Sequence, residues 1–77
     1  MDEYILANKN DLKNVSERTR TLKISCSLKH QDAADIMKRC RLLEEIIFDH
    51  KAFGETEDSA KEYLNKWVFV DTDARLI

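Results

Sequence analysis

Apolar residues recur along this chain in two competing rhythms. Leu12, Val15, Thr19, Leu22, Cys26, Lys29, Ala33, Ile36, Cys40, Leu43, Ile47 and His50 are spaced alternately by three and four, and nine of these twelve are apolar. No Gly or Pro interrupts the run. A seam held that long is the signature of helix, as a coil or as a hairpin turning near His30-Gln31. Inside the same stretch, Leu22, Ile24, Cys26 and Leu28 alternate with Lys23, Ser25 and Ser27. That is the two-residue period of a half-buried strand. The longer pattern predicts an all-α chain with a helical hairpin. The shorter one gives the alternative, a small α+β fold with a strand at 21–28 paired to 4–7 or 67–70.

Downstream, Ala33, Ile36, Met37, Cys40, Leu43 and Ile47 fall on one face of a helix spanning 32–53, with Asp32 as its cap. Leu42, Ile46 and Phe53 fall on a second face of that helix. Gly54 is the single Gly, and it suits the left-handed residue that closes a helix. Thr56 then caps a last helix at 57–69, in which Ala60, Tyr63, Leu64, Trp67 and Val68 make one stripe. Trp67-Val68-Phe69-Val70 also has strand propensity, which leaves the end of this helix open. The expected architecture is one small domain, 1–77, of three helices at 9–29, 32–53 and 57–69. Residues 1–8 and 71–77 are expected as loosely held arms. No internal repeat is evident.

Composition narrows the functional classes. The chain has 77 residues, 43% hydrophobic and 36% charged, which is too apolar for a disordered tail and too charged for a membrane protein. No stretch nears the ~18 apolar residues that span a bilayer. The acidic start Met1-Asp2-Glu3 does not resemble an export signal, so a cytoplasmic protein with two reduced thiols, Cys26 and Cys40, is expected. The net charge of −2 hides an asymmetry: residues 8–41 sum to +5 and residues 42–77 to −5.

Candidate chemistry is sparse. Cys26, His30, Cys40 and His50 are zinc-ligand types, but ten residues of helix would hold Cys40 and His50 ~15 Å apart. No metal or other cofactor is expected. One Gly leaves no room for a phosphate loop or a nucleophile elbow, and no cysteine–histidine pair has an oxyanion hole in view. The chain reads as non-enzymatic.

Binding is what remains. A chain this short cannot enclose both faces of helix 32–53, so Leu42, Ile46, Phe53 and Phe69 are expected to meet a protein partner or a second copy. The opposing charges across a parallel homodimer seam match poorly, which favours a hairpin or an antiparallel pair. The expected function is that of a self-associating adaptor, regulator or inhibitor. The alternative is a small nucleic-acid-binding regulator that uses Arg18, Arg20, Lys23, Lys38, Arg39 and Arg41 to neutralise phosphates.

Overall fold

The strand rhythm prevails over the heptad. A computed structural model describes residues 3–73, and in it the elements run β1 (Glu3–Leu6), a 3₁₀ segment (Lys9–Asn14), β2 (Thr21–Ile24), α1 (His30–Arg39), β3 (Glu45–Asp49), α2 (His50–Glu55), α3 (Asp58–Asn65) and β4 (Phe69–Asp73). The four strands form one parallel sheet in the order β1-β2-β3-β4. The all-α expectation, with its helical hairpin and coiled coil, is therefore overturned, and the chain is α+β. The alternative strand at 21–28 is present but stops at Ile24, and its neighbours are β1 and β3. Residues 67–70 contribute Phe69 and Val70 to β4, which pairs with β3 rather than with β2. The helix expected at 9–29 is a 3₁₀ segment and a strand. The helix expected at 32–53 is α1, a turn, β3 and most of α2. The helix expected at 57–69 ends at Asn65. Residues 3–6 and 71–73, expected as arms, form the two edge strands, while 1, 2 and 74–77 lie outside the described residues.

Every crossover carries the chain one strand further in the same direction. With the usual right-handed connection, all return segments then lie on one face of the sheet. Burial agrees with this. Leu6, Leu22, Ile24, Ile46 and Phe48 point to the helical side and are fully buried. Their neighbours Ile5, Thr21, Lys23, Glu45, Ile47 and Asp49 point to the other side and are half-buried or exposed.

The strands are in a fixed step. Thr21, Glu45 and Phe69 are register partners, which sets two successive coils of 24 residues. The core follows the same step: Thr19 and Leu43, Leu22 and Ile46, Ile24 and Phe48, Leu28 and Ala52, Ile36 and Ala60, and Cys40 and Leu64 are all buried. These pairs make up twelve of the seventeen buried residues among those described. Yet none of the 24 aligned positions in 19–42 and 43–66 keeps the same residue. The repeat lies in burial and not in identity, so the absence of a visible sequence repeat was misleading. A one-directional stack of such units is the arrangement of solenoid proteins, in which each unit buries its apolar side against the next.

Contacts between coils set the helix ends. No Gly or Pro stops α1. Its terminal Arg39 donates to the carbonyl oxygens of Lys13 and Val15, which hold the preceding coil against the helix end. Cys40 leaves helical geometry and tucks its Sγ 3.8 Å from the Ser16 carbonyl oxygen. At the other end, Asp32 accepts from the Lys29 backbone N–H at 2.8 Å, so it supports the first turn from inside instead of capping it. Thr56 does not cap α3 either. Its buried hydroxyl accepts from the Leu28 N–H (3.1 Å) and donates to the Ala52 carbonyl (2.7 Å). The Glu57 N–H donates to the Leu28 carbonyl, and the Glu57 carboxylate accepts from the His30 N–H, both at 3.0 Å. Three of these four bonds tie the approach to α1 to the junction between α2 and α3, and the fourth, from Thr56 to Ala52, holds the end of α2.

Two stability changes follow. Thr56→Val keeps the shape but strands the buried Leu28 N–H, and chemical denaturation is expected to show a loss of about 1–3 kcal/mol. Gly54 lies within α2, not past its end; its φ is not positive, and an added Cβ would meet nothing within 4 Å. Gly54→Ala is therefore expected to raise stability by about 0.5–1 kcal/mol. A loss would mean that Gly54 needs its conformational freedom after all.

Candidate interaction surfaces

The first surface is the sheet face that no described helix covers. Period-two alternation places on it Glu3 and Ile5 from β1, Thr21 and Lys23 from β2, Glu45, Ile47 and Asp49 from β3, and Phe69, Asp71 and Asp73 from β4. Register aligns Ile5, Lys23, Ile47 and Asp71 in one row, and Asp49 beside Asp73. Ile5 is 57% exposed and Phe69 63%. Lys23 is joined to Glu3 at 2.9 Å, so its charge is answered locally. That leaves Glu45 and Asp71 as carboxylates around Ile47 and Phe69, with Asp49 at the far end of β3 also capping α2 by accepting from the Lys51 N–H at 3.2 Å. An all-parallel sheet is ordinarily covered on both sides. Here one side bears apolar groups and carboxylates together.

The second surface is the end of the sheet where strands begin. Three connections arrive there: residues 15–20, 40–44 and 66–68. They and the helix ends beside them carry Lys13, Arg18, Arg20, Lys38, Arg39, Arg41 and Lys66 against Glu17, Asp35 and Glu44. An open depression of about 540 Å³ is lined by Lys13, Ser16, Glu17, Lys38, Arg39 and Arg41. Arg18, Arg41 and Leu42 share a neighbouring hollow. Arg20 pairs with Glu44 at 3.6 Å. The Phe69 N–H donates to the Glu44 carbonyl at 3.0 Å, which brings the Lys66-Trp67 turn alongside. Trp67 is 66% exposed and Leu42 50%.

The residues expected to meet a protein partner are thus dispersed. Ile46 is wholly buried against the helices. Phe53 lies partly buried, edge-on to Phe48 with ring centroids 5.5 Å apart and with the Lys61 ammonium over its face at 4.3 Å. Leu42 is at the strand-start end, and Phe69 opens β4 on the uncovered face. The two-faced helix that joined them does not exist, so the surplus of apolar positions came from reading a strand as helix. The six basic candidates fare differently. Arg18, Arg20, Lys38, Arg39 and Arg41 do gather at one end, although Arg39 is committed to two backbone carbonyls and Arg20 to Glu44. Lys23 faces away on the open sheet. Sequence reasoning missed Ile5, Ile47 and Trp67 as surface groups, and it placed Asp71 on an arm instead of on the sheet. Ile47 sat on the heptad seam and Trp67 on the last helical stripe. The strand propensity of 67–70 was the one signal that could have moved Trp67 outward.

The thiols and histidines are scattered. Cys26 follows β2, with its Sγ 3.9 Å from the Leu6 carbonyl oxygen. His30 begins α1 and meets the Tyr63 ring edge-on at 5.2 Å. His50 begins α2. Among the described residues, no three His, Cys, Asp or Glu side chains come together as a metal site. Nor, among the described residues, is any helix long and apolar enough to cross a membrane. Comparison with models of known families, with curated proteins and with solved structures finds no match. The chain's own surfaces therefore carry the functional reading.

Burial pushes both thiols above their ordinary range. At Cys26 this outweighs the lowering by Lys9, and at Cys40 the lowering by Arg39. Since the thiolate is the reactive form, both should be slow toward iodoacetamide at neutral pH and speed up as pH rises past the ordinary thiol range. Cys26, only partly covered, is expected to react before the buried Cys40. Rapid modification of Cys40 in the folded protein at neutral pH would contradict this placement.

Proposed function

We propose that this chain is a non-catalytic protein-binding module whose uncovered sheet face holds a partner segment of mixed basic and apolar character. The observation that carries the reading is the combination on one flat face: exposed Ile5 and Phe69 and half-buried Ile47, set beside Glu45 and Asp71. Exposed faces of one-directional repeat folds are extended binding surfaces. Apolar side chains supply the favourable area, and surrounding charge selects the partner and speeds its approach. A segment that places Leu or Ile over Ile47 and Phe69 and Lys or Arg near Asp71 and Glu45 answers both demands. Its effect is to occlude the face or recruit the partner, with no bond made or broken.

A synthetic peptide of alternating Lys and Leu is the direct probe. Binding by calorimetry is expected to weaken with added salt. Asp71→Lys should lower affinity by about tenfold, or ~1.4 kcal/mol. Phe69→Ser should lower it comparably. Both positions are exposed, so their effects on unfolding should stay within about 0.5 kcal/mol. Equal binding of a peptide with Glu in place of Lys would overturn the charge argument. Absence of binding at low salt would overturn the reading as a whole.

A further inference from the structure

The strand-start end has the opposite chemistry, and nothing in the protein-binding reading uses it. We infer that this end binds single-stranded nucleic acid, with backbone phosphates on Lys13, Arg18, Lys38 and Arg41 and one base stacked on Trp67. Three observations meet there. First, seven cations stand against three carboxylates, Glu17, Asp35 and Glu44, on a chain whose net charge is −2. Second, Lys13, Lys38 and Arg41 line one depression, and Arg18 joins Arg41 at the next. All four side chains are exposed. Third, Trp67, the only Trp of the chain, stands exposed where the 66–68 turn enters the same end of the sheet. Adjacent strands are ~4.8 Å apart, so the starts of β2, β3 and β4 lie within ~10 Å.

The form of the surface selects the form of the ligand. Reading a duplex takes a helix or a two-stranded ribbon that enters the major groove, and this end is built of turns. Single strands are instead held by a basic track plus aromatic faces on which unpaired bases stack. The local balance of charge permits it. Arg20 offsets Glu44, and Arg39, at the carbonyl end of α1, offsets the partial negative charge of the helix terminus. Lys13, Arg18, Lys38 and Arg41 remain for phosphate. Glu17, which lines both depressions, and Asp35, beside Lys13 and Lys38, are the acids within this track, so the cations exceed them by two.

Trp67 reports its own contact. The intact chain is titrated with an oligothymidylate of about twelve nucleotides, within the usual range for one small domain. The expected result is saturable quenching of Trp67 fluorescence. Four neutralised phosphates give a slope of about −3 in log affinity against log salt, or a ~50-fold loss between roughly 50 and 200 mM. Arg18→Ala with Arg41→Ala should flatten that slope by about 1.4. With a labelled oligonucleotide read by anisotropy, Trp67→Ala should weaken binding at least about fivefold, and Trp67→Phe should restore much of it. Both sites are on the surface, so thermal unfolding of each variant serves as the check on folding. A duplex of equal length, or phosphatidylserine vesicles, binding as tightly as the single strand would overturn the inference in favour of a general anion surface. So would full affinity in Trp67→Ala. No binding at low salt would overturn it outright. The protein-binding reading has its own probe, the Lys–Leu peptide, so each of these results leaves it standing.

Discussion

The structure depends on one constraint: each 24-residue coil must place apolar groups at the same points beneath the sheet as the coil before it. Leu22 and Ile24 meet the helices as Ile46 and Phe48 do, and Ile36 and Cys40 answer them as Ala60 and Leu64 do. The residues differ, and the volumes compensate. Leu28 with Ala52, and Ile36 with Ala60, put a large side chain in the first coil where the second has a small one. Phe48 in place of Ile24, with Phe53 packed on its edge, restores bulk to the second coil. Burying such side chains stabilises by roughly 1.5–3 kcal/mol each, which is what a chain of this size has to set against its conformational entropy.

That constraint also decides what is left outside. Since every return segment uses the same side of the sheet, the other side receives none of the described helices. Since strands all run the same way, their starts gather at one end with the turns that lead into them. Basic residues far apart in sequence, Lys13, Arg18, Lys38 and Arg41, become neighbours because 13–20 and 38–44 occupy corresponding places in successive coils. The acidic half of the sequence spreads over β3, β4 and the helices that join them. Charge asymmetry along the chain is thus converted by topology into asymmetry in space.

Part of this was legible. The alternation at Leu22 and Ile24 gave β2 only as the alternative to a helix, the last helix was expected from 57 and begins at Asp58, and of the six basic residues read as one surface all but Lys23 gather at one end. The heptad misled for a physical reason. A coil that alternates strand and helix in a fixed step also returns apolar groups to one side at short intervals, so a three-four spacing persists with no continuous helix beneath it. Helix α1 gave no local sign of stopping at Arg39, because its end is made by bonds to Lys13, Val15 and Ser16 from the coil before. Gly54 gave a false one, since a helix here contains it. The 24-residue step was hidden because burial, and not residue identity, is what repeats.

Net charge is the wrong description of such a molecule. Its extents are 27 × 24 × 23 Å, several times the ~8 Å over which salt at physiological strength screens a charge. β4 runs ~13 Å from Phe69 to Asp73, at ~3.3 Å per residue. The basic end and the acidic sheet face therefore act as separate electrostatic surfaces, and each presents its own sign to whatever approaches it. A polyanion at the strand starts and a cationic segment across Ile47 and Phe69 would each see a surface of opposite charge. The two surfaces adjoin at the strand starts, where Phe69 and Glu45 of the sheet face lie beside Trp67 and Glu44, so two partners bound together would be neighbours there. The value of −2 describes neither surface, and the two opposite fields are what a partner meets.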